Sequence, residues 1–140
     1  MALQWSSTLS LGVPDLDAQQ RELFDRVDGL MDAMLRGHRE EVPKVARFLR
    51  EHVVLHFAAE EQMMLDLGYP EAANHTAEHH AFACKMMALD AAFRDGGPTA
   101  ELVLRLEREV VAWLRDHVYV ADVALGQFVC NALSSKARPA

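Results

Sequence analysis

Apolar side chains recur at intervals of three and four residues in four long segments of this sequence. The first stripe contains Leu16, Leu23, Phe24, Val27 and Leu30, and comparable stripes follow it. These intervals place side chains on one face of an α-helix. Sustained alternation of apolar and polar residues is absent, and no Asn-Gly or Asp-Gly turn lies between alternating runs. The pattern therefore predicts an all-α domain.

Glycine, proline and capping residues set the expected helix bounds. Gly37 and Gly68 are typical of helix ends, Pro43 suits a first turn, and Thr99 suits an N-cap. The predicted helices cover about 15–36, 43–67, 72–94 and 99–118, with a short helix over 122–132. Four helices joined by short links favour an antiparallel up-down-up-down four-helix bundle.

Residues 1–13 are expected to form a non-helical N-terminal arm. Its apolar residues Trp5, Leu9 and Leu11 would cover one end of the core. We find no internal repeat, and we interpret residues 1–140 as one domain.

Charge and cysteine content narrow the class of protein. The chain has 140 residues, a formal net charge of −7 and a pI near 5.4, which argues against a nucleic-acid partner or an anionic membrane surface. No apolar run approaches the ~20 residues that span a bilayer, and no secretory signal is visible. Cys84 and Cys130 are too few for a disulfide framework. We expect a monomeric cytoplasmic domain with reduced thiols.

Several polar side chains interrupt the apolar stripes on faces expected to be buried. They are Gln20 in the first segment, His52, His56 and Glu60 in the second, His75 and His79 in the third, and His117 in the fourth. A single histidine on an apolar face is usually a hydrogen-bonded core residue, but that explanation must hold separately in each segment. A carboxylate such as Glu60 is seldom buried unless it is paired or bound to a metal. The set therefore indicates metal binding inside the bundle.

The spacing of these residues suits a metal site. His56 and Glu60 are four residues apart, as are His75 and His79. Side chains four residues apart project from the same side of a helix, so two imidazoles can bind one ion. One such pair often arises by chance, whereas two pairs and a further histidine on three different helices are specific.

Asp122 is a less obvious member of the set. It follows His117 by five residues, which is about 140° further round a regular α-helix. Both side chains reach one site only if the helix ends or distorts between them, and Val118, Tyr119 and Val120 are mediocre helix formers. On spacing alone, an N-cap of the last short helix explains Asp122 equally well.

The order and spacing of these motifs resemble the hemerythrin family, in particular its single-domain bacterial members. The resemblance runs from Trp5 to about Phe128. The matching segments are LGV from Leu11, DAQ from Asp17, HFAAEE from His56, GYP from Gly68, HTAEH from His75, and WLRDH from Trp113 followed by Asp122.

This resemblance implies two iron ions, joined by an oxo or hydroxo bridge, inside the bundle. By position, the ligands of the first iron are His75, His79 and His117, and the bridging carboxylates are Glu60 and Asp122. The second iron, at which the family binds dioxygen, would take His56 and a histidine of the first helix. Here Gln20 replaces that histidine.

The substitution leaves three interpretations open. The amide oxygen of Gln20 could bind the second metal, more weakly than imidazole. His52, one turn before His56, could compensate as a ligand or act as a hydrogen-bond partner. The position could instead be filled by water or be empty, which would make the centre labile or mononuclear.

Other residues near the motifs are expected to have supporting or surface roles. The aromatic residues expected to line the pocket and to exclude water are Phe57, Phe82 and Trp113. The polar residues expected to be surface groups outside the site are His38, His80, Glu61 and Glu78.

The expected function is binding of dioxygen or a related small ligand for carriage, storage or sensing. A di-iron oxidase or peroxidase is the first alternative, and a metal-sensing or oxygen-sensing regulatory module is another. The paired E-x-x-H motifs of ferritin-like di-iron proteins are absent, which disfavours that enzymatic route. Zinc and manganese bind to the same types of ligand, so the residues alone do not select iron.

Overall fold

Helices account for most of residues 4–137, which are the residues that the computed structural model describes; the side chains are described up to residue 134. The bounds of the helices are α1 Pro14–Leu35, α2 Val42–Leu67, α3 Ala72–Gly96, α4 Ala100–Trp113 and α5 Val123–Ala137. Short 3₁₀ turns lie at Ser7–Leu9 and Arg39–Glu41. Residues 4–137 contain no β-strand, and the all-α class is confirmed.

Local sequence signals explain where these helices begin and end. Pro14 and Pro43 lie in the first turns of α1 and α2, where proline's missing N–H leaves no intrahelical bond unmade. The Thr99 hydroxyl caps α4 by accepting the backbone N–H of Leu102 at 3.3 Å. Gly68 ends α2 in the left-handed region with a φ of 64°.

The four long helices pack as the predicted bundle. Helix α1 contacts α2, α2 contacts α3, α3 contacts α4, and α4 returns to α1. The antiparallel four-helix bundle expected from the sequence is confirmed. Each helix contributes a fully buried apolar residue to the core, namely Leu30, Leu49, Met86 and Leu106. The core is therefore continuous across all four helices.

The arm before α1 lies across one end of the bundle. Leu9 and Leu11 are buried, and Trp5 is half-buried against the core. Asp17 anchors the arm to α1, because its carboxylate accepts the Leu11 N–H at 2.7 Å and the Ser10 hydroxyl. The arm is not wholly non-helical, since it contains the turn Ser7–Leu9.

The C-terminal third of the chain differs from the sequence prediction. We expected a fourth helix ending near residue 118 and a separate short helix over 122–132. Instead, a π-helical segment, Leu114–Asp122, joins α4 to α5 without interruption. Leu114 and Val118 are each 1% exposed, so this stretch is held against the core. A widened turn keeps the backbone groups hydrogen-bonded there, whereas a break would leave buried groups unpaired.

No helix within residues 4–137 has both the length and the apolar character needed to cross a bilayer.

Candidate metal centre

Three histidines meet at the centre of the bundle. Helix α3 carries His75 and His79 one turn apart, and the π-helical segment carries His117; their exposures are 3%, 2% and 1%. The ring centroid of His75 lies 4.6 Å from that of His79 and 4.4 Å from that of His117. These three predicted metal residues therefore come together in one buried cluster.

The π-helical segment brings Asp122 to the same cluster. Hydrogen bonds in a π-helix connect residues five apart, so residues five apart lie on one side of it. Asp122 Oδ1 consequently lies 3.1 Å from His117 Nε2, and it is also 3.1 Å from His75 Nε2. The expected distortion between His117 and Asp122 takes this form, and Asp122 is 2% exposed inside a continuous helical stretch.

Glu60 of α2 completes the inner cluster. Its side chain is fully buried, and its Oε1 lies within hydrogen-bonding distance of Nε2 of His75 and of Nε2 of His79, the latter at 3.1 Å. Burial alone would raise the pKa of Glu60, but the contacts of His56, His75 and His79 outweigh it, so this pKa lies well below its usual range. Glu60 is therefore a buried carboxylate anion.

His75 carries the positive charge that balances these anions in the metal-free chain. Burial would lower the pKa of His75, but its close contacts with Asp122 and Glu60 and their negative charges raise it to about 9. A metal ion that bound at His75 Nε2 would displace this proton, because only the neutral ring binds metals.

The arrangement of the donor atoms suits coordination of a metal ion better than it suits hydrogen bonds among these atoms. Nitrogen or oxygen atoms of Glu60, His75, His79, His117 and Asp122 all lie within 4.8 Å of one another. Three of these atoms are buried without a hydrogen bond: Glu60 Oε2, His117 Nε2 and Asp122 Oδ1. The 3.1 Å approach of His117 Nε2 to Asp122 Oδ1 lacks hydrogen-bond alignment. An unpaired buried polar atom costs about 1–3 kcal/mol, and a cation among these atoms would remove that cost.

Two glutamates that we expected to be surface charges contact the outer sides of the histidine rings. His79 donates its Nδ1–H to Glu61 at 2.9 Å, and His117 donates its Nδ1–H to Glu78 at 3.0 Å. These bonds fix the tautomer and the orientation of each ring, with Nε2 directed toward the cluster. The apolar stripes did not reveal this role; the available signal was an acidic residue directly beside a predicted ligand.

His56 lies beside the cluster on α2, where the second metal is expected. It is 4% exposed, and its Nδ1 donates to Gln19 Oε1 at 2.9 Å, so its Nε2 is free. That Nε2 lies 2.9 Å from Glu60 Oε2, again without hydrogen-bond alignment. The outer partner of His56 is thus a neutral amide, whereas His79 and His117 have carboxylates.

Gln20 is fully buried and lies between the arm and Asp122. Its Oε1 accepts the indole N–H of Trp5 at 2.9 Å, and its Nε2 donates to Asp122 Oδ2 at 3.2 Å. The amide oxygen is therefore turned toward Trp5, and the amide nitrogen faces the cluster.

His52 stacks on His56 instead of converging with it. The two ring centroids are 4.9 Å apart with an interplanar angle of 19°, and Nε2 of His52 has no hydrogen bond. Burial, followed by the nearby His56, lowers the pKa of His52 to about 3, so its ring is neutral. Ring nitrogens bind in the plane of the ring. In this packing, the two lone pairs lie in nearly parallel planes and do not point at one ion.

Aromatic rings enclose the histidines on the side of α4. Phe57 stacks on His79 and Trp113 stacks on His117, each with ring centroids 3.8 Å apart. Phe82 stacks on Trp113 at 4.2 Å. All three aromatic residues are buried, whereas His38 and His80 are exposed and lie outside the cluster.

Histidines and carboxylates gathered in the middle of a four-helix bundle define a class, the non-haem metal proteins of this architecture. Known proteins specify the class further. A family profile described as "Hemerythrin HHE cation binding domain" matches residues 12–123. The bacteriohemerythrin of Methylococcus capsulatus is 34% identical over 110 residues, which cover 79% of this chain and 82% of that protein.

Two further similarities extend over nearly the whole chain. The bacteriohemerythrin of Stenotrophomonas maltophilia is 27% identical over 136 residues, or 97% of this chain and 87% of that protein. A solved structure described as "Crystal structure of hemerythrin: wild-type" has a TM-score of 0.73 and 29% identity, covering 92% of this chain and 98% of that one. The chain belongs to the hemerythrin family. It is accordingly a di-iron protein that binds oxygen.

Proposed function

We propose that this protein carries, stores or senses dioxygen or a related small ligand at a di-iron centre built from the buried cluster. The proposed ligands of one iron are His75, His79 and His117, the proposed bridging carboxylates are Glu60 and Asp122, and His56 is the proposed ligand of the other iron. The observation that carries this proposal is the convergence of five buried donors within 4.8 Å, three with an unpaired atom. When bound, the irons would supply the redox chemistry by which the protein binds dioxygen.

The surroundings of the cluster favour binding of a small molecule over conversion of a larger one. A surface cleft of about 170 Å³ reaches the cluster at His117, with Trp113 and Phe82 in its wall. Pockets that bind drug-sized ligands are about 300–1,000 Å³, so a cleft of this size suits a small ligand. The stacked aromatic rings exclude bulk water, which would protect ferrous iron from oxidation.

The proposed setting is the cytoplasm, with the protein acting as a monomer and without a nucleic-acid partner. The net charge of −7 would repel a polyanion. Cys84 and Cys130 are free thiols at the surface, a state that a reducing compartment maintains. Light scattering during gel filtration tests the oligomeric state.

Iron content and the visible spectrum of the aerobically purified protein test this function. We expect the wild-type protein to bind iron with a weakened or altered oxo-bridged spectrum, and the Gln20→His variant to shift toward a stable oxygen adduct. The matched control is His38→Ala, an exposed histidine outside the cluster. A protein that binds no iron after reconstitution contradicts the proposal.

The same preparation separates binding from enzymatic turnover. Reversible loss and recovery of the oxygen-dependent spectrum under cycles of vacuum and air would support carriage, storage or sensing. Sustained consumption of peroxide or of an added reductant, at a rate abolished by His56→Ala, would favour the oxidase or peroxidase alternative. A wild-type protein that already holds two irons and cycles oxygen reversibly would show that Gln20 does not impair the centre.

A further inference from the structure

The amide of Gln20 connects the N-terminal arm to the metal cluster. Trp5 N–H to Gln20 Oε1 is 2.9 Å, and Gln20 Nε2 to Asp122 Oδ2 is 3.2 Å. Gln20 is fully buried, so no bulk water competes for these bonds. A chain of two hydrogen bonds thus runs from residue 5 of the arm to a carboxylate 117 residues later.

The orientation of this amide follows from the chemistry of its neighbours. An indole N–H only donates a hydrogen bond, and a carboxylate anion only accepts one. Trp5 therefore requires the oxygen end of the amide, and Asp122 requires the nitrogen end. For Gln20 to present its oxygen to a cation, both hydrogen bonds would have to break inside a dry interior.

The two oxygens of Asp122 have different surroundings. Oδ2 accepts the Gln20 amide, while Oδ1 has no hydrogen bond and lies 3.1 Å from Nε2 of His75 and 3.1 Å from Nε2 of His117. The bond to Oδ2 fixes the rotation of the carboxyl group. It thereby keeps Oδ1 beside Nε2 of His75 and Nε2 of His117.

Further contacts fix Trp5, which is the first residue in this chain of two hydrogen bonds. The guanidinium of Arg21 lies 4.2 Å from the centroid of the indole ring, a cation–π contact. Asp17 binds the arm at Ser10 and Leu11, one turn of α1 before Arg21. The indole is thus held in place before any metal binds.

We propose that Gln20 is a positioning residue: its amide, locked by Trp5, orients Asp122 toward the three-histidine metal position and does not itself bind a metal. This inference rests on the proposed metal ligands. Within residues 4–134, it leaves His56 as the only histidine proposed for the second position. It also predicts that Gln20 acts on the first metal ion to bind, whereas a ligand of the second metal would not.

Titration of the metal-free protein with cobalt(II), read by its visible absorption, separates the two roles. At one equivalent, we expect Gln20→Leu to shift the cobalt bands and to weaken binding by roughly 10-fold, the lower end of the effect of removing a group that orients a ligand. If Gln20 served only the second metal, the one-equivalent spectrum of Gln20→Leu would equal that of the wild type. That outcome overturns the proposal.

The Trp5→Phe variant removes the hydrogen bond that orients the Gln20 amide and leaves the residues of the cluster unchanged. We expect its one-equivalent spectrum to move in the same direction as that of Gln20→Leu. Arg26→Gln is the matched control, because it removes the cation over the ring of Phe48 and leaves Trp5 and its indole N–H unchanged; its spectrum should equal the wild type. A Trp5→Phe protein with an unchanged first equivalent and tighter binding of the second would show that the amide is a ligand held back by Trp5, which contradicts the proposal.

The wild-type protein supplies a test that needs no variant. Nitrogen-15 NMR resolves the indole N–H resonances, and substitution of Trp5 assigns its own. We expect the Trp5 resonance to shift during the first equivalent of zinc(II); a shift confined to the second equivalent overturns the proposal. A wild-type protein that binds neither cobalt nor zinc refutes the metal centre itself, which is a different failure.

Discussion

At the residue scale, the cluster is asymmetric in the groups that support it. The rings of His79 and His117 each donate to a carboxylate, while the ring of His56 donates to the amide of Gln19. A carboxylate acceptor makes an imidazole a more basic ligand than an amide acceptor does. The three-histidine position should therefore bind its metal ion more tightly than the position beside His56.

Neutralising one of these carboxylates tests the asymmetry. In Glu61→Gln the side chain keeps its length and an acceptor oxygen but loses its charge, so we expect the metal affinity to fall roughly 10-fold. Competition with a chelator of known affinity measures the change. Glu51→Gln, an exposed residue of the same helix, is the control and should leave the affinity unchanged. Equal affinities for Glu61→Gln and the wild type would mean that the bond to His79 does not support the ligand.

The sequence indicated the inner donors but not their outer partners, for a physical reason. His75 and His79 lie on an apolar stripe, where a polar residue stands out against a simple period. Glu61 and Glu78 lie off the stripes, and their roles depend on which ring nitrogen faces outward across a helix interface. The orientation of Gln20 depends on Trp5, which a local period does not connect to it.

At the element scale, α5 depends on the absence of a side chain at one position. A Cβ atom added to Gly126 would lie 2.6 Å from the backbone carbonyl oxygen of Ser10, closer than such atoms approach. Gly126 lies four residues after Asp122, so the arm touches α5 next to the cluster. The sequence did not predict this contact, because a glycine inside a helical pattern has no period that identifies its neighbour.

A pair of glycine substitutions tests this contact. Alanine normally stabilises a helix interior by up to about 1 kcal/mol relative to glycine, and Gly29→Ala in α1, with open space around it, should follow that rule. Gly126→Ala should instead lower the free energy of unfolding by about 1–3 kcal/mol, because the arm must move. Urea denaturation measures both. Stabilisation by Gly126→Ala would show that the arm shifts without cost.

At the scale of the whole molecule, the bundle and the cluster depend on each other. The fold could be predicted from sequence because each helix is long and its stripe regular, and family membership agrees with it. The continuity of α4 and α5 could not be predicted from sequence, because the weak helix formers at Val118–Val120 are compatible with either a break or a widened turn. Packing of Leu114 and Val118 against the core decides between them.

Removal of the metal should destabilise the entire bundle. The proposed ligands come from α2, α3 and the π-helical segment. An ion that binds only the folded chain would stabilise all of them together by RT ln(1 + [L]/Kd), or about 2.7 kcal/mol at 100 times Kd. We expect the thermal midpoint to fall after chelation and to recover on adding iron(II) anaerobically. His75→Ala is the control, since its midpoint should respond little to either treatment. An identical midpoint with and without metal would indicate that the site forms without influence on the fold.

The π-helical segment, Leu114–Asp122, has a consequence for changes in chain length. Its turns hold one residue more than an α-helical turn, since bonds connect residues five apart instead of four. Deleting one residue between His117 and Asp122 would therefore let the backbone relax into an ordinary α-helix, an outcome that folding tolerates. The same deletion would leave the histidine and the aspartate four residues apart, so both side chains would still project from one side of the helix. A one-residue deletion in this stretch should therefore keep the carboxylate beside the histidine, whereas a one-residue insertion should rotate it away from the proposed metal position.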